Sequence, residues 1–179
     1  SACARNLASG QAGAGLIPSV EFARNPGLVL AAPLCVAARR EVTSVLLLCG
    51  AELKDLRKVW LDPASRTSQA LTQVLLEMER VPPPAFQERE DLPERLAPHE
   101  GVLVIGDRAL ALPPSLGTAT HVDLAELWNR HTGLPFVFAV WAARREAASP
   151  ELAHALTASY AYGRERLGEI EAEFTRSLN

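Results

Sequence analysis

Short apolar runs alternate with amphipathic segments along most of this chain. Residues 3–9 have helical spacing and run into Gly10, a stop signal. Ala14-Gly15-Leu16-Ile17 is a short run of strand type. Pro18 suits the first turn of a helix, and residues 19–24 continue it to the turn Asn25-Pro26-Gly27. Residues 28–31 and 34–38 read as strands on either side of Pro33. The longest β-type run is 42–49, apolar at both parities from Val45, which predicts a central strand buried on both faces. A short helix over 52–56 and a strand over 59–61 follow. Beyond the turn Asp62-Pro63-Ala64, Leu71, Val74, Leu75 and Met78 fall at i, i+3, i+4 and i+7. That spacing predicts an amphipathic helix opened by Ser65-Arg66-Thr67-Ser68 and ended by Pro82-Pro83-Pro84.

The stretch 82–99 is polar and Pro-rich, with a weak helix expected at 91–97. Residues 101–105 form a strand stopped by Gly106-Asp107. Asp123 caps a helix through Arg130, and Thr132-Gly133-Leu134-Pro135 turns into a second long strand, 136–141. A long helix begins near Pro150. Its apolar stripe is Leu152, Leu156, Tyr160, Gly163, Leu167, Ile170 and Phe174, with Gly163 and Gly168 as weak points.

The alternation of strands and helices predicts an α/β fold with mostly parallel strands. The two long strands, 42–49 and 136–142, bracket a middle segment with strands and helices of its own. That arrangement predicts two lobes with a cleft between them, where small ligands usually bind. The lobes are expected at 1–48 plus 136–179 and at 49–135.

Composition narrows the classes. The 179 residues are 48% apolar and 22% charged, with a net charge of −3, as in soluble globular proteins. No basic run exceeds Ala-Ala-Arg-Arg, which argues against a nucleic-acid binder. Cys3, Cys35 and Cys49 have no paired spacing and read as buried, reduced thiols. No apolar run nears the ~18–20 residues of a membrane span, so a cytoplasmic protein is expected.

The sharpest chemical signal is the hydroxyl-rich helix start at 65–68. The first N–H groups of a helix lack intrahelical partners and sit at its positive end, a ready site for carboxylate or phosphate. Ser65 as a simple cap is the competing reading. Without a Gly-rich run and Lys, a nucleotide loop is unsupported. Ser44 opens an apolar strand, either bonding backbone or facing the cleft. Gly106 allows close backbone approach, and Asp107 either caps a turn or faces the cleft. Phe136 and Phe138 share a strand face and favour core packing. No His/Asp/Ser pattern supports a catalytic triad, and no carboxylate pair has metal-site spacing.

Taken in order, the motifs Gly15-Leu16-Ile17-Pro18-Ser19-Val20-Glu21, the 42–48 strand with Ser44, Ser65-Arg66-Thr67-Ser68, Ile105-Gly106-Asp107, and Thr132-Gly133-Leu134-Pro135-Phe136 running on to Trp141 resemble one family. It is the chorismate dehydratase family of the futalosine route to menaquinone. The resemblance spans roughly 4–175. It implies a two-lobed fold similar to type II periplasmic binding proteins, with 42–49 and 136–142 as hinge strands around an interlobe cleft. It also implies that the N-terminal strand and loop of longer family members, and part of their C-terminal tail, fall outside this chain.

The resemblance implies a carbon–oxygen lyase that removes water from chorismate, giving 3-[(1-carboxyvinyl)oxy]benzoate. The substrate-binding residues expected are Ser44, Ser65, Arg66, Thr67, Ser68, Gly106, Thr132, Gly133 and Phe136. Asp107 and Glu21 are the candidate bases, with the substrate's own enolpyruvyl carboxylate as the alternative. No metal or organic cofactor is called for. The expected partner is a small dicarboxylate, not nucleic acid or membrane, and a homodimer is left open. Two other readings compete: a non-catalytic anion-binding protein of the same fold, and the related 1,4-dihydroxy-6-naphthoate synthase. A pure interaction module ranks last, since no long apolar surface stripe stands out.

Overall fold

The computed structural model describes residues 2–117 and 119–177. Its strands divide between two sheets, giving a mixed α/β fold. β1 (Ala14–Pro18) and β2 (Leu28–Ala38) both pair antiparallel with β8 (Phe136–Arg144), which lies between them. The second sheet holds β3 (Val45–Cys49), β4 (Lys58–Leu61), β5 (Ala85–Glu88), β6 (Glu100–Ile105) and β7 (Thr120–Asp123), in the order β5-β4-β6-β3-β7.

Among the described residues the parallel pairs are those of β4 with β5 and with β6, on its two sides. β3 runs antiparallel to both its neighbours. The expectation of mostly parallel strands is thus corrected to a mixed sheet beside an antiparallel one. A parallel neighbour needs a long crossover, usually helical; α3 (Arg66–Met78) supplies one between β4 and β5.

β3 is buried at all five positions. Val45, Leu47 and Cys49 join the core beneath α3 and α5 (Leu124–Thr132), whereas Leu46 and Leu48 join a core on the other face. This two-sided burial matches its unbroken apolar run. α3 lays Leu71, Leu75 and Leu76 into the first of these cores. β2 is one strand rather than two, its register shifting between Leu30 and Cys35 around Pro33. β5 and β7 lie where no strand was expected, and 91–97 is not helical. α3 stops at Met78, ahead of the proline run, and Arg80 just beyond its cap has φ +57°.

The remaining helices flank these sheets. α1 (Ala2–Ala8) and α2 (Ser19–Arg24) belong to the three-stranded side, and α4 (Asp107–Leu110) follows β6. The expected long C-terminal helix is two, α6 (Pro150–Glu165) and α7 (Leu167–Ser177), breaking at Arg166 between the two glycines. Leu152 and Leu156 are half-buried, but Tyr160, Leu167, Ile170 and Phe174 are each more than half exposed. A long apolar surface stripe therefore exists where none was expected. Among the described residues no helix is long and apolar enough to cross a membrane.

The chain passes between the sheets at 39–44 and 133–135. β3 lies wholly in the five-stranded sheet and β8 wholly in the other, so the crossings adjoin the two long strands and do not run along them. Val42, Trp128, Phe136 and Phe138 pack at this joint against the main core. Phe136 stands edge-on to Trp128 and to Phe138, with centroid distances of 5.3 and 4.8 Å.

Candidate functional site

One edge of the five-stranded sheet gathers most of the polar residues singled out above. β4 and β6 are parallel neighbours and both end there. β3 is antiparallel to β6, with Val45 opposite Ile105, so it begins there. β7 ends there too, with Asp123 opposite Leu46. The edge therefore carries Ser44, Asp62, Gly106, Asp123 and the start of α3. Crevices beyond the carboxyl ends of strands are the usual ligand position in open α/β sheets.

The turn after β4 and the first two turns of α3 hold the buried polar side chains among the described residues. Asp62, Thr67, Ser68 and Thr72 are each at most 3% exposed, and they are the buried polar and charged residues among those described. Ser65 caps α3. Its Oγ accepts the Ser68 N–H at 3.2 Å and donates to Ser68 Oγ at 2.8 Å. Thr72 Oγ1 donates back to the Ser68 carbonyl at 2.8 Å. The hydroxyls of Ser65 and Ser68 are thus ordered by one another at the positive end of a 13-residue helix.

Thr67 and Arg66 face the other sheet. The Val20 N–H donates to Thr67 Oγ1 at 3.4 Å, and Ser19 Oγ lies 3.5 Å from the same atom. Arg66 Nη1 donates to Glu21 Oε1 at 2.9 Å. The hydrogen bond and charge of Glu21 hold the Arg66 guanidinium above its ordinary pKa. The starts of α2 and α3 therefore meet across the gap between the sheets. Ser19 was not among the expected site residues; it sits inside the quoted Gly15–Glu21 motif, but nothing local to that motif names Thr67 as its partner.

Ser44 and Gly106 are joined through backbone, the Gly106 N–H donating to the Ser44 carbonyl at 2.8 Å. Gly106 has φ +62° and ψ −143°, a conformation open to glycine alone. Asp107 is exposed in the first turn of α4. Asp123 does more than cap α5. Its Oδ1 accepts the N–H groups of Ala125 and Glu126, and its Oδ2 those of Val42 and Thr43 at the first crossing.

Thr132 and Gly133 stand apart from this edge. α3 and α5 both start there and run side by side, for His131 Nε2 meets Glu79 Oε1 at 2.9 Å at their far ends. Gly133 is the left-handed cap of α5, and Thr132 Oγ1 bonds the Trp128 carbonyl and the Leu134 N–H. Phe136 belongs to the packed joint. These three residues therefore close the helix and seat the second crossing.

Sequence reasoning missed Asp62 and Arg108. The Asp62 carboxylate accepts the Ala64 N–H at 2.9 Å and bonds Arg108 across 46 residues of sequence. Asp62 read only as a turn residue, and Arg108 carried no signal at all. The thiols also divide differently from expectation: Cys3 and Cys35 are exposed and only Cys49 is buried. Short exposed helices and an open strand edge leave the first two uncovered.

Comparison with known proteins gives this edge a context. The family model described as menaquinone biosynthesis matches residues 1–178. A chorismate dehydratase of Thermus thermophilus is 38% identical over 190 residues, which cover 96% of this chain and 70% of that protein. A chorismate dehydratase of Campylobacter jejuni is 33% identical over 129 residues, covering 70% of this chain and 43% of that protein. Among solved structures, an X-ray structure of an Archaeoglobus fulgidus protein shares the fold with a TM-score of 0.66 at 17% identity. This chain spans 64% of that protein's length and aligns over 94% of its own. A family match along 1–178, joined to 38% identity with a relative of which it spans 70%, makes this chain a member of the menaquinone biosynthesis family.

Proposed function

We propose that this chain is a chorismate dehydratase, a hydro-lyase giving 3-[(1-carboxyvinyl)oxy]benzoate in the futalosine route. The observation that carries the reading is the concentration of buried polar side chains at the start of α3, facing α2 across the gap between the sheets. In this reading the two sheets are the centres of two lobes, as in type II periplasmic binding proteins. The lobes divide near residues 44 and 135, and the substrate lies in the cleft between them.

Chorismate carries two carboxylates, and the edge offers donors suited to them. Ser65, Arg66 and the first N–H groups of α3 take one, supported by Thr67 and Ser68 behind them. Ser44 and the Gly106 turn approach from the neighbouring strands. The reaction removes a proton from the ring carbon bearing the enolpyruvyl ether. Charge passes through the adjacent double bond toward the ring carboxylate, hydroxide leaves the neighbouring carbon, and the ring becomes aromatic. Donors already aimed at that carboxylate stabilise the charge as it develops.

Glu21 is engaged by Arg66 and Asp107 is exposed at a helix start. The enolpyruvyl carboxylate of the substrate is the better-placed proton acceptor, with the protein supplying orientation and exclusion of water. The test is turnover of chorismate by the full-length protein, followed by loss of the cyclohexadiene absorbance and the product mass. Loss of one water, weakened in Ser65→Ala and in Arg66→Gln, supports the reading. Binding without turnover would favour an anion-binding protein of the same fold.

A further inference from the structure

Asp62 is a nearly buried carboxylate, 3% exposed at its side chain, that no step of the proposed reaction uses. It lies between two loops of the candidate edge. β4 ends in Asp62-Pro63-Ala64-Ser65, which leads into α3. Its parallel neighbour β6 is followed by Gly106, the N-cap of α4, whose first turn carries Asp107 and Arg108. Such loops lie side by side but share no backbone ladder, so side chains must set their spacing.

Asp62 supplies that link in three directions. Its Oδ1 accepts the Ala64 N–H at 2.9 Å, which fixes the turn ahead of Ser65. Its carbonyl accepts Gln69 Nε2 at 2.9 Å, which ties the turn to the second turn of α3. Its Oδ2 accepts Arg108 Nη2. Arg108 Nη1 in turn donates to the Glu90 carbonyl, so one guanidinium fork joins the loops after β4, β5 and β6. Gly106, two residues before Arg108, holds the Ser44 carbonyl. Asp62 and Arg108 border an open groove of about 370 Å³ with Pro63, Ala64 and Glu90.

A planar fork bound at both ends resists rotation in a way a Lys point charge does not. Both terminal nitrogens of Arg108 are engaged, one by Asp62 and one by the Glu90 carbonyl. We propose that Asp62 is a positioning residue: through Arg108 it sets the Ser65–Ser68 helix start against the Gly106 loop, and so fixes where the substrate carboxylates sit. This rests on the chorismate reading above.

The experiment compares kcat and KM for chorismate in the full-length protein, Asp62→Asn, Arg108→Gln and the double variant, each with a thermal melt. Asp62→Asn keeps an acceptor for the Ala64 N–H and removes the charge that holds the fork. The KM of each single variant is expected to rise roughly 10–100-fold, as for misplaced binding groups, with little change in kcat. The double variant is expected to be no worse than the poorer single, because both break one link.

Unchanged KM with apparent kcat falling in step with the folded fraction would overturn the proposal. So would a double variant whose loss is the product of the singles. A KM rise in Arg108→Gln alone would make Arg108 a substrate ligand and also overturn it. Should Asp62→Asn fail to fold, Asp62→Ser takes its place in the same series: a KM rise shared with Arg108→Gln supports the link, and an unchanged KM in the Asp62 variant refutes it. If the wild type does not turn chorismate over, calorimetric affinity for chorismate replaces KM in the same series. A wild type that neither turns over nor binds chorismate removes the functional reading and this proposal together. Normal wild-type turnover with unchanged KM in both single variants removes this proposal alone.

Discussion

Asp123 is where exchanging one oxygen for a nitrogen tests how the sheets are joined. Its Oδ1 receives the N–H groups of Ala125 and Glu126 at 2.9 and 3.0 Å, an ordinary helix cap. Its Oδ2 receives those of Val42 and Thr43 at 2.8 and 2.7 Å, pinning the first crossing, where Thr43 sits at φ +56°. Asp123→Asn keeps the cap, because Asn and Asp are about equal there, but turns an acceptor into a donor facing two donors. Bonds to a charged group contribute about 1.5–3 kcal/mol each, and solvent screening at this partly exposed pair cuts their combined loss below that sum, to about 2 kcal/mol. Asp123→Ala adds the lost cap, about 1 kcal/mol more. At about 2–4 °C per kcal/mol for a chain of this size, the melting temperature should fall roughly 4–8 °C in Asn and roughly 6–12 °C in Ala. Thermal melts followed by circular dichroism, with urea midpoints at constant m, give both values. An Asn variant as stable as wild type would refute the role of Oδ2 at the crossing. An Asn variant as damaged as Ala would mean that cap and crossing are not separable.

Three further outcomes follow from the same geometry. Glu21→Gln should keep kcat within a few-fold, because Glu21 clasps Arg66; a loss of about 10²–10⁴ in kcat would make it the general base. Gly106→Ala should destabilise by about 1–3 kcal/mol through backbone strain alone, since a Cβ there meets nothing within 4 Å; an unshifted melting temperature in the variant would contradict the φ of +62°. Burial pushes the Cys49 thiol up from 9.0 to about 12, so its protonated form contributes stability below pH 9 that is lost as pH rises toward 12. Alkylation at pH 8 should therefore add two adducts to the native protein, at exposed Cys3 and Cys35, and a third only on unfolding; three adducts on native protein would refute the burial of Cys49.

What the sequence disclosed depended on the range of the interaction. The Ser65 cap, the apolar face of α3 and the two-sided burial of β3 are periodic or adjacent in sequence, and all were legible. β5 and β7 were not, because at four residues each with mixed polarity they carry no period. They become strands because β4 and β3 offer them open edges. The stripe through α6 and α7 correctly predicted helix but not burial; periodicity reports a helix's shape, while cover depends on neighbours. Likewise, the link between Asp62 and Arg108 joins two unremarkable residues that meet only once β4 and β6 pair. Thr132 and Gly133 stood out as a motif, yet their bonds are those of a helix end.

The position of the candidate site follows from the one parallel element in an otherwise antiparallel setting. β4, α3 and β5 form a crossover unit, and such a unit must place the start of its helix at the carboxyl end of its first strand. β6 lies parallel on the other side of β4, so its exit loop opens at the same edge. Antiparallel β3 then has to begin where β6 ends, which delivers Ser44 and the first crossing to that edge. α2, held on the three-stranded sheet, reaches the edge through Thr67 and Glu21–Arg66. A polar helix start, two loops and the joint between sheets thus coincide because of strand direction, before any particular side chain is considered. Side chains then decide the chemistry: in the proposed reading the hydroxyls and free N–H groups at the start of α3 suit an anion, and Arg108 offsets the charge of Asp62 behind them.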